Sequence, residues 1–114
     1  DPDMILGIIA GGRKAVWRST EGAEDSSEEA RKALKRIDLK KKDVLVGIAA
    51  SGTTPFVESA LDYALKKGSG RILVTCNPVE TDVPDVVISL LVGPEVITGS
   101  TRMKAGTATK MALN

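Results

Sequence analysis

Apolar residues occur along this chain in short runs, separated by stretches with helical spacing. Four runs have the length and the β-branched content of strands, and they cover residues 4–10, 44–49, 71–76 and 85–91. Their apolar residues are continuous rather than alternating with polar ones, which is typical of strands buried on both faces of a sheet.

Amphipathic stretches predict helices over residues 14–22, from residue 26, over residues 55–67 and over residues 102–114. Ser26 and Glu29 have the spacing of a capping box, which marks the start of the second helix. Pro55 suits the first turn of the third helix, because its fixed φ is helical and its missing N–H leaves no hydrogen bond unmade. Thr54 is expected to cap that helix and Gly68 to end it.

The alternation of strands and helices predicts an α/β fold, a parallel doubly wound sheet with helices on both faces and right-handed crossovers. Ligands of such sheets bind at the carboxyl ends of the strands. Functional residues are therefore expected in the loops that follow the predicted strands.

The composition excludes several classes of partner and of catalytic reaction. Its 114 residues make one domain at most, its net charge of +1 argues against a nucleic-acid partner bound through bulk charge, and no window resembles a membrane span or a signal peptide. With one cysteine and no histidine, the chain has no internal disulfide, no metal cluster and no Ser–His hydrolysis. Acid–base chemistry must then use carboxylates, Lys or Tyr, and the cysteine usage indicates a reducing cytoplasm.

Two glutamates follow the first predicted strand. Glu21 and Glu24 can project from one helical face, where two close negative charges raise the pKa of one carboxyl group. Such a group can act as a general acid or base near neutral pH. The alternative is a solvated acidic helix end ahead of Ser26.

A loop of small polar residues separates the second strand from the helix that begins at Pro55. Its hydroxyl and backbone N–H groups meet the positive end of the helix dipole, which suits an anion such as phosphate. The loop consists of Ser51, Gly52, Thr53 and Thr54. The alternative is an ordinary tight connection between a strand and a helix, without a ligand.

After the third strand, Asn77 before Pro78 is expected to shape its loop, and Cys76 to be a small buried apolar residue.

The longest candidate segment covers residues 93–107. Ser100 or Thr101 is expected to cap a helix, which puts Arg102 and Lys104 in its first turn. Positive charges there oppose the helix dipole, and a broken local rule often marks a functional site. The conflict disappears if an anion, or a carboxylate from a neighbouring subunit, binds at the helix start. The alternative is an exposed basic turn.

Four motifs carry a resemblance to a known family. They are EGAED at residues 21–25, GIAASGTTP at 47–55, CNP at 76–78 and VGPEVITGSTRMKAGTATK at 92–110. Together they resemble the N-acetylmuramic acid 6-phosphate etherases, which belong to the sugar isomerase (SIS) domain superfamily, and the similarity spans nearly the whole chain. The glucokinase regulatory protein of animals is a non-enzymatic relative that shares this domain.

The resemblance implies a flavodoxin-like three-layer α/β/α sandwich that forms a homodimer, with the active site near the subunit interface. The family's lyase reaction cleaves the D-lactyl ether of N-acetylmuramic acid 6-phosphate by elimination and then hydration, giving N-acetylglucosamine 6-phosphate and D-lactate. It uses no metal or organic cofactor and serves cell-wall recycling in the bacterial cytoplasm. The implied partner is a small phosphosugar, with no nucleic acid and no membrane.

Two alternatives stay open. One is a non-catalytic phosphosugar sensor of the glucokinase regulatory protein type, which would keep the loops and lose the chemistry. The other is a generic phosphosugar isomerase, of which the segment at residues 93–107 is not typical.

Carried over by motif, Glu24 is a family active-site carboxylate and thus the candidate catalytic residue. The candidate substrate-binding residues are Glu21, Ser51, Gly52, Thr53, Thr54, Ser100, Thr101 and Lys104. The chain departs from the family at Thr53, where most etherases have Arg, so one cationic contact is missing or supplied elsewhere.

Members of the family begin before this sequence and continue after it. Residues 1–114 correspond to roughly the second half of an SIS domain, without the first strand, the first phosphate loop, a second catalytic glutamate and the C-terminal helical region. We therefore expect a partial domain. We also expect no etherase turnover from the 114 residues alone, because one of the two catalytic carboxylates is absent.

Overall fold

The computed structural model describes residues 4–114. Its helices are α1 (Ser27–Arg36), α2 (Pro55–Lys67) and α3 (Lys104–Leu113), and its strands are β1 (Val44–Ile48), β2 (Gly70–Thr75) and β3 (Val86–Ser89). Two short 3-10 helices, Gly12–Val16 and Ala23–Asp25, precede α1.

α1 and α2 begin and end where local sequence rules place them. Ser26 Oγ accepts a hydrogen bond from the N–H of Glu29 at 3.3 Å, as expected of an N-cap. The Glu29 carboxylate pairs with Lys32 at 3.2 Å rather than returning to the cap. α2 starts at Pro55, and Gly68 ends it in the left-handed conformation with φ of 72°.

The three strands form one parallel sheet in the order β1-β2-β3. Val46 of β1 pairs with Ile72 of β2, which in turn pairs with Val86 of β3. This arrangement confirms the predicted α/β fold with a parallel sheet.

The core lies on both sides of α2. One side packs against α1 through buried apolar residues, namely Ala30, Leu34, Leu39, Phe56, Ala60 and Ala64. On the other side, Leu61 packs against Ala49 and Leu73 of the sheet. Ser59 Oγ donates a hydrogen bond to the carbonyl oxygen of Ser27 at 2.9 Å, which fastens the start of α1 to α2. These contacts hold α2, and hence the loop before it, against the carboxyl end of β1.

The expectation of strands buried on both faces is confirmed for the end of β2, where Leu73 and Val74 point to opposite faces and are both buried, but it is wrong for β1 and β3. α1 and α2 lie on one face, while Val44, Val46 and Ile48 of β1 point to the other and are 59%, 42% and 47% exposed. All four residues of β3 are exposed. α3 reaches this second face near the end of β2, where the buried Cys76 Sγ lies 3.8 Å from the carbonyl oxygen of Ala105. An apolar run shows that a strand can be buried, but a helix must still lie over it.

Residues 4–10 do not form the predicted strand. Their backbone has no regular structure, and Met4 and Ile5 are 76% and 85% exposed. A strand needs a neighbour for its N–H and C=O groups, and an apolar run does not specify that neighbour. The helix predicted over residues 14–22 is likewise wrong, since the 3-10 helix Gly12–Val16 and a turn occupy this region.

Candidate functional site

The carboxyl ends of β1 and β2 are joined by hydrogen bonds between the loops that follow them. Asn77 Nδ2 donates to the carbonyl oxygen of Ala50 at 2.9 Å, and the N–H of Cys76 donates to the same oxygen at 3.1 Å. The buried Thr75 Oγ1 accepts the N–H of Asn77 at 3.2 Å. Asn77 therefore shapes its own loop, as predicted, and also fixes the loop that contains Ser51.

The candidate phosphate loop, residues 51–54, brings its hydroxyl groups together at the start of α2. Ser51 Oγ lies 3.4 Å from Thr54 Oγ1 and accepts the N–H of Thr53 at 3.3 Å. Thr54 occupies the N-cap position, but its side chain makes no capping hydrogen bond, so the prediction of a hydroxyl cap is wrong. Because the Thr54 hydroxyl contacts Ser51 instead, the loop presents a polar cluster at the positive end of the α2 dipole.

Gly52 gives this loop its close approach to β2. Its φ of 84° lies in the left-handed region, and its N–H donates to the carbonyl oxygen of Ala49 at 3.0 Å. A Cβ atom at this position would overlap Val79 Cγ1 and lie 3.0 Å from Thr75 Oγ1. Only glycine fits here without a shift of the neighbouring loop.

Two neighbouring cavities open at this edge of the sheet. The first, of about 210 Å³, lies beside the segment between β3 and α3, and its lining includes Ala50, Asn77, Glu95, Ser100 and Thr101. The second, of about 480 Å³, lies between α2 and residues 78–83, and its lining includes Ser51, Gly52 and Thr53. Five of the eight predicted substrate-binding residues line these cavities, Ser100 and Thr101 the first and Ser51, Gly52 and Thr53 the second. The other three, Glu21, Thr54 and Lys104, line neither.

Glu95 was not among the predicted site residues, yet it occupies the start of α3. Its Oε1 accepts the N–H of Ala105 and its Oε2 accepts the N–H of Lys104, each at 3.0 Å. These two backbone donors hold the pKa of the Glu95 carboxyl group below its ordinary value. The positive charge at this helix start is thus met by a carboxylate of the same chain, where an external anion or a neighbouring subunit was expected.

The basic residues of this segment are also placed differently from the prediction. α3 begins at Lys104, so Arg102 precedes the helix, and the N–H of Arg102 donates to Ser100 Oγ at 3.3 Å. Lys104 Nζ donates to the carbonyl oxygen of Val92 at 2.8 Å. The first turn of α3 has no acidic residue, which indicates that a carboxylate from elsewhere meets the helix start. The sequence does not specify that this carboxylate is Glu95.

Glu24 lies in the 3-10 helix Ala23–Asp25, which packs against α2. Gly22, with φ of 68°, separates this helix from Glu21, so the two glutamates do not share the helical face that was predicted. Neither glutamate belongs to the lining of the two cavities described above. The contact places the 3-10 helix that carries Glu24 beside α2, the helix whose start carries the candidate phosphate loop.

Residues 4–114 contain neither a metal-binding cluster nor a membrane-spanning helix. Within that range, no group of three or more His, Cys, Asp or Glu side chains is arranged to hold a metal ion. None of the helices in the same range is long and apolar enough to cross a membrane.

The sequence of this chain is similar to those of known proteins. Residues 3–65 match the model of the glucokinase regulatory protein N-terminal SIS domain. The chain is 55% identical to the N-acetylmuramic acid 6-phosphate etherase of Clostridium botulinum strain Loch Maree, over 98% of the chain and 38% of the relative. It is 51% identical to the etherase of Mesorhizobium japonicum, over 98% of the chain and 37% of the relative.

A third relative, the N-acetylmuramic acid 6-phosphate etherase of Aliivibrio fischeri strain MJ11, is 49% identical over 100% of the chain and 39% of the relative. The chain therefore spans somewhat more than a third of the length of the curated relatives it matches. The parallel α/β fold of residues 4–114 is in agreement with part of an SIS domain. The chain belongs to the SIS domain family shared by the N-acetylmuramic acid 6-phosphate etherases and the glucokinase regulatory protein.

Proposed function

We propose that this chain is the phosphosugar-binding part of a longer lyase. Its substrate is N-acetylmuramic acid 6-phosphate, and its products are N-acetylglucosamine 6-phosphate and D-lactate. The observation that carries the proposal is the 55% identity to a named etherase over 98% of the chain. The convergence of the loops at residues 49–54, 76–78 and 90–103 on one sheet edge supports it, because that edge is where parallel sheets bind ligands.

In the proposed reaction, a base removes the proton from C2 of the sugar and the C3–O bond to the lactyl group breaks. The departing lactate oxygen gains a proton, and water then adds to the C2–C3 double bond. Glu24 is the candidate for one of these proton transfers, since a carboxylate is the acid–base group that the motif supplies. A second carboxylate, from outside this chain, performs the other transfer, and the 114 residues alone are inactive.

The remaining groups bind the substrate. Residues 51–54 offer hydroxyl groups at the positive end of the α2 dipole, which suits the 6-phosphate. Ser100 and Thr101 are proposed to hydrogen bond with the sugar or its lactyl group, and their position in the lining of the smaller cavity supports this. Glu21 and Lys104 complete the set of proposed contacts. Thr53, at the position of the family arginine, offers a neutral hydroxyl where most etherases have a charge.

The protein is proposed to act as a homodimer in the cytoplasm, with the site near the subunit interface. It uses no cofactor, and its partner is the phosphosugar rather than a nucleic acid or a membrane.

A second function is favoured by one observation. The family model that matches residues 3–65 is that of the glucokinase regulatory protein. A non-catalytic phosphosugar sensor would keep the loops at the sheet edge and bind ligand without turnover. Measurement of turnover separates the two functions, while measurement of binding does not.

The test is release of D-lactate from N-acetylmuramic acid 6-phosphate by the full-length protein. We expect the wild-type protein to release lactate, and Glu24→Gln to lose about 100-fold or more in kcat, within the range of acid–base catalysis. Glu28→Gln is the matched control, because Glu28 lies on the exposed surface of α1 and pairs with Lys32. Binding of the product without turnover by wild-type protein would instead identify a sensor, and a Glu24→Gln variant with wild-type kcat would remove Glu24 from the mechanism.

A further inference from the structure

The segment between β3 and α3 folds back onto the start of α3, and residues 92–104 are called the signature loop below. Lys104 Nζ at its end donates to the carbonyl oxygen of Val92 at its beginning, at 2.8 Å. The Glu95 carboxylate accepts the N–H groups of Lys104 and Ala105, each at 3.0 Å. Two sets of contacts therefore close the signature loop.

The closed loop is connected to the sheet through Ala105. This residue is buried, and its carbonyl oxygen lies 3.8 Å from Cys76 Sγ at the end of β2. Glu95 thus attaches the signature loop to the same residue that contacts the strand end. The contact path runs from Glu95 through Ala105 to Cys76.

This closure determines what lines the smaller cavity. Ser100 and Thr101 of the signature loop and Ala50 and Asn77 of the strand-end loops all contribute to its wall. Within the loop, Ser100 donates its N–H to the carbonyl oxygen of Ile97 at 3.0 Å and accepts the N–H of Arg102 at 3.3 Å. Those contacts lie within one turn and determine only the local shape of the loop. The position of the loop relative to β2 depends on the contacts of Glu95 and Lys104.

Glu95 itself is unsuited to proton transfer. Each of its carboxylate oxygens accepts a backbone N–H, and these donors favour the ionised form. An ionised carboxylate cannot donate a proton to a leaving group, and a base with a lowered pKa removes protons poorly. The geometry therefore indicates a structural role for Glu95 at the site.

We propose that Glu95 is a positioning residue of the phosphosugar site, whose two hydrogen bonds to the start of α3 hold Ser100 and Thr101 in place to bind substrate. The inference rests on the proposed function for the identity of the substrate, but the closure of the signature loop by Glu95 does not depend on it.

The test compares Glu95→Gln with wild type in the full-length protein. Glutamine keeps the side chain's length but places an NH2 group against one of the two backbone donors. We expect kcat/KM to fall about tenfold or more, mainly through KM, because displaced substrate-binding hydroxyl groups weaken ground-state and transition-state binding alike. Val96→Ala is the matched control, since Val96 is in the same loop, 83% exposed and outside the cavity lining.

Unchanged kcat and KM in a folded Glu95→Gln variant would overturn the proposal, because Glu95 would then be only a helix cap. A fall in kcat with unchanged KM would also overturn it, since that pattern belongs to a group acting in the transition state. Thermal unfolding above the assay temperature confirms that the variant is folded. The Glu95→Asp variant keeps the negative charge on a shorter side chain. Its kcat/KM is expected to lie between those of Glu95→Gln and wild type.

Failure of the proposed function is recognised separately, as a wild-type protein that releases no lactate. Amide hydrogen exchange then tests the loop closure directly. Glu95→Gln should speed exchange of the Lys104 and Ala105 amides about tenfold or more, because hydrogen bonds to a charged acceptor are lost. Exchange rates equal to wild type at both amides would overturn the role of Glu95 whatever the substrate is.

Discussion

Asn77 Nδ2 donates a hydrogen bond to the carbonyl oxygen of Ala50 at 2.9 Å, and this contact joins the ends of two neighbouring parallel strands. Ala50 is the residue immediately before Ser51, so the amide of Asn77 fixes the start of the candidate phosphate loop. The side chain thereby couples the CNP motif to the SGTT motif, although 27 residues separate the two partners.

Asn77→Ala tests this coupling. The Ala50 carbonyl keeps the N–H of Cys76 as a partner, so the variant should fold and lose only about 1 kcal/mol in the free energy of unfolding. The loop should then be less well placed, and the Kd for N-acetylglucosamine 6-phosphate should rise severalfold in titration calorimetry. Lys42→Ala is the control, because Lys42 is exposed and outside the lining of both cavities. An unchanged Kd in Asn77→Ala would separate the CNP motif from ligand binding.

Gly52→Ala should destabilise the protein through two effects. The left-handed φ of 84° disfavours any Cβ, and that Cβ would also overlap Val79. Gly12→Ala isolates the first effect, because Gly12 has φ of 67° and open space around its Cβ position. We expect about 1 kcal/mol from Gly12→Ala and about 3 kcal/mol from Gly52→Ala in chemical denaturation. Equal losses would show that Val79 moves aside at no cost.

Glu95 should make stability depend on pH. Its carboxyl pKa is lowered in the folded protein by the N–H groups of Ala105 and Lys104. A depressed folded-state pKa stabilises the protein above the unfolded-state pKa, and this stabilisation is lost as the pH falls through the folded-state value. The difference in free energy of unfolding between wild type and Glu95→Gln should therefore be largest near neutral pH and shrink below about pH 4.

Glu28 also has a lowered pKa, because of its hydrogen bond to Lys32, so the acid sensitivity of wild type alone does not isolate Glu95. The difference between wild type and Glu95→Gln cancels the contribution of Glu28. A difference that stays constant between neutral and acidic pH would contradict the hydrogen bonds assigned to Glu95.

Features set by neighbouring residues were predictable from the sequence. Ser26 caps α1 through the amide three residues later, Pro55 starts α2, and Gly68 ends it. Each of these depends on local backbone geometry, which a short stretch of sequence determines. The placement of the candidate loops at strand ends followed from the alternation of strands and helices in the same way.

Features that depend on distant partners were not predictable. The apolar run at residues 4–10 has strand composition, yet it lacks regular structure because pairing requires a neighbour that its own sequence does not specify. Thr54 is a local exception, because it has the right side chain for an N-cap but its hydroxyl contacts Ser51, only three residues before it. The start of α3 clearly needed a negative charge, while the choice of Glu95 depends on how the signature loop folds back.

The most direct test of the proposed site is a crystal structure of the full-length protein with N-acetylglucosamine 6-phosphate. The proposal predicts the 6-phosphate against the hydroxyl and backbone N–H groups of residues 51–54, with Ser100 or Thr101 within hydrogen-bond distance of the sugar and the Glu24 carboxylate close to C2 or C3. A sugar bound elsewhere, or a Glu24 carboxylate remote from the ring in every subunit, would contradict it.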